Sequence, residues 1–169
     1  MINVVASVSW LFFHTKNSFY VSTLLILVMI GTALPMAIYT VSDSTLNIYE
    51  WISMRLGFSI YSGWLTAATI LNIAILLKRT GKIDESNVET WCNIFLIIAY
   101  VCYTTFTFLY NDLVYGAVLI WVLIGIKTNP DGEKFEKVQK TTNAVLVIYA
   151  ISYGIIVSQM SNTANTETK

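Results

Sequence analysis

The chain has 169 residues, of which 56% are hydrophobic and only 12% charged. A soluble domain carries about 25% charged residues, so too little charge is present to cover a water-facing surface, and a soluble enzyme, a disordered tail and a collagen-like fibre are excluded. Ten basic side chains balance ten acidic ones, which leaves no electrostatic footprint for nucleic acid. What remains is an integral membrane protein.

A helix needs about 20 apolar residues to cross a hydrocarbon core of roughly 30 Å. Taken in chain order, the charge-free runs predict segments at about 1–13, 17–42, 52–78, 90–110, 112–127 and 141–158, followed by a polar tail at 161–169. The expected fold is therefore an all-α integral membrane protein, a single bundle of five to six transmembrane helices within residues 1–160. The first segment is short for a full crossing. Pro35 predicts a kink in the second. Asn111-Asp112 reads as a tight hairpin in which Asp112 caps the next helix. Asn129-Pro130-Asp131-Gly132 reads as a turn. The lysine-rich stretch after it, with Phe135 and Val138 three apart, suits a short separate helix lying on the anionic interface.

Basic residues test this count independently. If all six segments cross, Lys16, Lys78, Arg79, Lys82, Lys127, Lys134, Lys137 and Lys140 fall on one side, and only Arg55 and Lys169 on the other. That bias predicts that both termini lie away from the cytoplasm or organelle matrix.

Ionisable side chains deep in the membrane mark pumps and enzymes, because burying them is expensive. Here Arg55, Asp112 and Lys127 fall at segment ends, where interfacial anchoring is the expectation. His14 is the only histidine, so no metal site or catalytic histidine cluster is expected. Cys92 and Cys102 lie about 15 Å apart along one predicted helix and cannot bridge. No phosphate loop, nucleophile elbow or carboxylate pair is present, and no enzyme is expected. No basic residue precedes the apolar start and no glycosylation sequon occurs, so neither a classical cleavable signal nor an Arg-rich presequence is expected.

The third segment carries the most information. Ser59, Ser62, Thr66, Thr69 and Asn72 recur at spacings of three and four, and Gly63 with Ala67 makes a small-xxx-small pair that permits close helix approach. One reading is a packing seam formed by Ser59, Ser62, Gly63 and Ala67, with Gly125 in the fifth segment. The other is a pocket wall, with Trp64 as a flat plate and Asn72 as an intramembrane amide. Tyr100, Tyr103 and Phe106 form an aromatic stripe on the fourth segment, expected to pack rather than to hold a cofactor.

The run F-S-I-Y-S-G-W-L-T-A-A-T-I-L-N, Phe58 to Asn72, resembles the signature of the longer relatives in the tryptophan-rich sensory protein (TspO/MBR, translocator protein) family. Glu50-Trp51 and Arg55 resemble the approach to that motif. Asp112, Tyr115, Val118, Leu119, Trp121, Gly125 and Ile126 resemble a second stretch of the same relatives, and Ser9 to Phe13 resembles their Trp-bearing helix. Gly57 stands in place of the motif's proline, and Ser7 in place of an asparagine. The match starts at the Trp-bearing helix, so the relatives' earlier helices are expected to be lacking.

The resemblance implies a helical membrane bundle that binds tetrapyrroles, sterols or other lipophilic ligands. Trp10 and Trp64 would line the pocket, with Thr66 and Asn72 beside them. Two roles stay open. One is a non-catalytic accessory subunit of a larger membrane complex, packing against lipids and other membrane subunits. By analogy with the family's eukaryotic members, that complex would be a respiratory-type assembly of the mitochondrial inner membrane. The other is a TspO-like receptor for a porphyrin, haem-like or sterol ligand; the first role needs no cofactor.

Overall fold

The computed structural model describes residues 1–42, 47–129 and 135–167, with side chains to Ser161. Among the described residues six long helices follow one another: α1 (Ile2–Thr15), α2 (Phe19–Ser42), α3 (Ile48–Arg79), α4 (Val88–Tyr110), α5 (Leu113–Lys127) and α6 (Glu136–Glu167). No strand occurs among the described residues. α2, α3, α6 and the stretch Glu85–Tyr110 are long and apolar enough to cross a membrane. α1 and α5, at 14 and 15 residues, span only about 21–23 Å.

Local chemistry sets the helix ends. Asn111 adopts a left-handed conformation, φ 50°, that closes α4, and the Asp112 carboxylate accepts from the backbone N–H groups of Val114 and Tyr115 to open α5. α3 begins earlier than its apolar run. The Asn47 side chain accepts from the amides of Tyr49 and Glu50, and Glu50 bonds back to the Asn47 amide, a capping box that extends the helix into polar sequence. Its next six residues, Trp51–Leu56, form a π-helical turn, with the Arg55 guanidinium 5.9 Å from the Trp51 ring.

α6 departs from expectation. The lysine-rich stretch is no separate interfacial helix, because Glu136–Lys140 are continuous with the spanning segment. Lys137 reaches Glu89 at 3.6 Å, and Gln139 donates to the Ile126 carbonyl at 3.2 Å. These contacts hold the first turns upright against α4 and α5. Of the expected Asn129–Gly132 turn, only Asn129 lies within the described residues. Pro35 sits inside α2.

α3 is the shared wall of two packed groups. On one side, Ala6 of α1 and Ile26, Met29 and Ala33 of α2 close on Leu65. On the other, α4, α5 and α6 meet around Leu96, Tyr103, Phe106, Tyr115, Leu119, Leu123 and Tyr149. Tyrosines stitch this second group. Tyr103 donates to the Gly63 carbonyl, Tyr149 to the Gly116 carbonyl at 2.9 Å, and Tyr153 to the Leu113 carbonyl at 2.7 Å. In an apolar core a hydroxyl without a partner is costly, and each of these reaches a backbone oxygen of another helix.

Successive helices run in alternate directions. The end of α1 meets the starts of α2 and α4 and the end of α3, and the end of α5 meets the start of α6. Lys16, Lys78, Arg79, Lys82, Lys127, Lys137 and Lys140 thus share one end of the bundle, and Arg55 lies at the other.

Candidate ligand-binding site

The polar stripe on α3 does not stay on one face. Each step of three residues falls about 60° short of a full helical turn, so the stripe winds from the α5 side to the α2 side. Ser59 donates to the Asp112 carboxylate at 2.6 Å, and the Thr66 hydroxyl shares a 2.7 Å bond with that of Tyr115. Ser62 turns back to the Phe58 carbonyl at 2.6 Å. Asn72, 3% exposed, accepts instead from Ser22 and Thr23 of α2 at 3.3 and 3.2 Å. Thr69 is the exception, its buried hydroxyl lacking a partner.

Gly63 lets α5 come close. A Cβ there would stand 3.0 Å from Val118 Cγ2 and 3.3 Å from the Tyr115 carbonyl oxygen. Ala67 packs beside it against the aromatic core. Gly125 behaves differently from its expected packing role: it is exposed, and a Cβ would meet nothing within 4 Å. The residue that makes the close approach in α5 is Gly116, where a Cβ would stand 2.6 Å from Thr107 Oγ1 and 2.9 Å from the Tyr149 hydroxyl. No local signal distinguished it from Gly125, since α5 is apolar all round. Asp112 is a second correction. It was expected to anchor at the interface, yet it is 2% exposed because its oxygens are consumed by Ser59 and by two backbone amides.

The four candidate ligand residues do not converge on one pocket. Trp10 is half-buried on the α1–α2–α3 group, its ring stacked on His14 at 4.9 Å and its indole N–H buried without a partner. Asn72 faces α2, and Thr66 faces α5. Trp64 turns outward. It is 47% exposed and meets Trp121 of α5, itself 63% exposed, with ring centroids 5.2 Å apart and planes inclined by 42°. Ile60 and Leu71, exposed on α3 about one and two turns from Trp64, extend this surface. The site thus consists of two indoles on different helices, backed by a sealed polar seam.

A second polar knot, not foreseen in the sequence, ties α1 to the rest. Asn3 donates to the Met29 carbonyl at 2.9 Å and to the Thr32 hydroxyl at 2.7 Å, and it accepts from Tyr61 at 2.6 Å. Ser7 lies 3.3 Å from the same tyrosine oxygen. An asparagine near the start of the chain carries no spacing signal that would point to this role.

Compared with known families, residues 1–159 match the model of TSPO-like proteins. The chain belongs to the TSPO-like family. No curated protein and no solved structure matches it. Within this TSPO-like chain the match spans all six helices, including α6 as far as Gln159. The family assignment and the four long apolar helices together make it an integral membrane protein in contact with lipid.

Proposed function

We propose that this TSPO-like protein is a non-catalytic membrane receptor that takes a flat lipophilic ligand, of the tetrapyrrole or sterol class, onto its Trp64–Trp121 face. The observation that carries the reading is the outward pairing of two indoles from separate helices. Aromatic faces in hydrocarbon offer a fused-ring ligand stacking without desolvating a polar group. The buried seam supports the same choice. The Thr66 hydroxyl and the Asn72 side-chain oxygen are already bonded to neighbouring helices, which suits positioning α3 better than touching a ligand.

The test is a titration of the full chain in nanodiscs with protoporphyrin IX, read by the porphyrin's absorption shift. Saturable binding is expected. Trp64→Ala and Trp121→Ala should each weaken it about three- to tenfold, the worth of one aromatic contact, while Trp10→Ala leaves it unchanged. Partition that never saturates, or binding indifferent to both substitutions, overturns the reading.

The accessory-subunit reading draws on a different observation. Val4, Val5, Val8, Leu11 and Phe12 are exposed on α1, a helix too short to match the bilayer core by itself. A partner helix would cover that face. If this reading holds, native electrophoresis of gently solubilised membranes places the chain in a band far above its own monomer or dimer mass. A mitochondrial respiratory-type assembly is the first complex to look for.

A further inference from the structure

At the basic end of the bundle α1 ends, α2 begins and α3 ends around a cleft of about 750 Å³. Its lining combines charged and apolar side chains. Lys78 and Arg79 stand at the end of α3, with Ile75 one turn below Arg79 and Phe19 across from it. The Arg79 guanidinium lies 5.3 Å from the Phe19 ring centroid, and among the described residues no carboxylate pairs with it. Its donors are left for another anion. α2 also opens here, a 24-residue helix with no acidic residue in its first turn, so the partial positive charge of its N-terminus adds to the two cations.

One carboxylate competes. Glu85 lies in the cleft wall, 3.3 Å from the Lys78 ammonium, but its side chain is 87% exposed. An ion pair this open contributes little and yields readily to a better-placed anion. Below Ile75, Leu71 is exposed on α3 four residues earlier, so an apolar strip leads from the cleft floor down toward the bilayer interior.

We propose that this cleft binds the phosphate of an anionic phospholipid drawn from the leaflet at the basic end. Arg79 and Lys78 hold the phosphate, Phe19 and Ile75 seat the glycerol region, and one acyl chain descends past Leu71. A soluble phosphate compound shares the anionic chemistry, but it would leave the apolar floor and strip uncovered. This phosphate cleft shares only the exposed Leu71 with the Trp64–Trp121 face, and neither proposal needs the other.

The experiment uses the full chain in phosphatidylcholine nanodiscs doped with phosphatidylglycerol, read by thermal midpoint and by lipid retained in native mass spectrometry. Phosphatidylglycerol should raise the midpoint and be retained, whereas inorganic phosphate in undoped discs should do nothing. A basic residue near a membrane surface is worth about fivefold in affinity for anionic lipid. Arg79→Gln should therefore weaken retention about fivefold, and the double variant with Lys78→Gln further. Glu85→Gln should strengthen it, a gain that no folding defect can imitate. Lys82→Gln, outside the cleft lining, should leave it unchanged. A response to inorganic phosphate equal to that of the lipid overturns the lipid as ligand. An equal loss in Lys82→Gln and Arg79→Gln overturns the cleft in favour of diffuse surface charge.

Discussion

Asp112 does more than its position at a helix start requires. Its carboxylate caps α5 through two backbone amides and also receives the Ser59 hydroxyl of α3, so one side chain sets both the start of a helix and its register against the neighbour. Loss of an N-cap costs about 1 kcal/mol, and a hydrogen bond to a charged group contributes about 1.5–3 kcal/mol. Asp112→Ala should therefore destabilise the folded bundle by about 2–4 kcal/mol, measured by thermal or SDS unfolding in mild micelles. Ser59→Ala, which leaves the cap in place, should cost less, about 1.5–3 kcal/mol. If the two variants are equally stable, the cap is not carrying the load assigned to it.

At the level of elements, α5 is the helix whose packing the sequence disguises. It is apolar all round, so no amphipathic stripe announces which face is buried, and the choice between Gly116 and Gly125 cannot be made from spacing. The structure separates them: Gly116 sits against Thr107, Tyr149 and Tyr153, and Gly125 faces open space. Gly116→Ala should cost about 1–3 kcal/mol through overpacking. Gly125→Ala should be neutral or stabilising by up to about 1 kcal/mol, from the better helix propensity of alanine. The same pair of unfolding curves checks both, and an equal response would mean that α4 and α6 do not approach α5 as described. What was legible follows the same physics. The all-helical membrane class came from charge-free runs, and the α4–α5 hairpin from Asn111-Asp112. Small and hydroxylated residues at helical spacing marked a polar stripe on α3 without saying which helices would meet it. The winding of that stripe toward α2 at Asn72, the Asn3–Tyr61 knot and the Trp64–Trp121 pair depend on which helices become neighbours. No local pattern encodes that, since every face of a membrane helix can be apolar.

For the molecule as a whole, alternating helix directions gather the basic residues at one end, and this geometry acquires a biological direction only through the membrane. Lysine and arginine near helix ends resist translocation, so the end bearing Lys78, Arg79 and Lys82 should face the cytoplasm or, in a mitochondrial inner membrane, the matrix. Both termini then lie on the opposite side. Single cysteines placed at Asn47 and at Lys82, at opposite ends of α3, would test this in a background with Cys92→Ala and Cys102→Ala. A membrane-impermeant maleimide applied to intact mitoplasts or spheroplasts should label position 47 at once and position 82 only after permeabilisation. The reverse pattern would mean that the charge bias does not set the topology, and that anionic lipid for the basic cleft must come from the outer leaflet. Labelling of both sites from one face would mean that α3 does not cross, and the bundle would then have to lie in the membrane in some other way than its lengths and charges dictate.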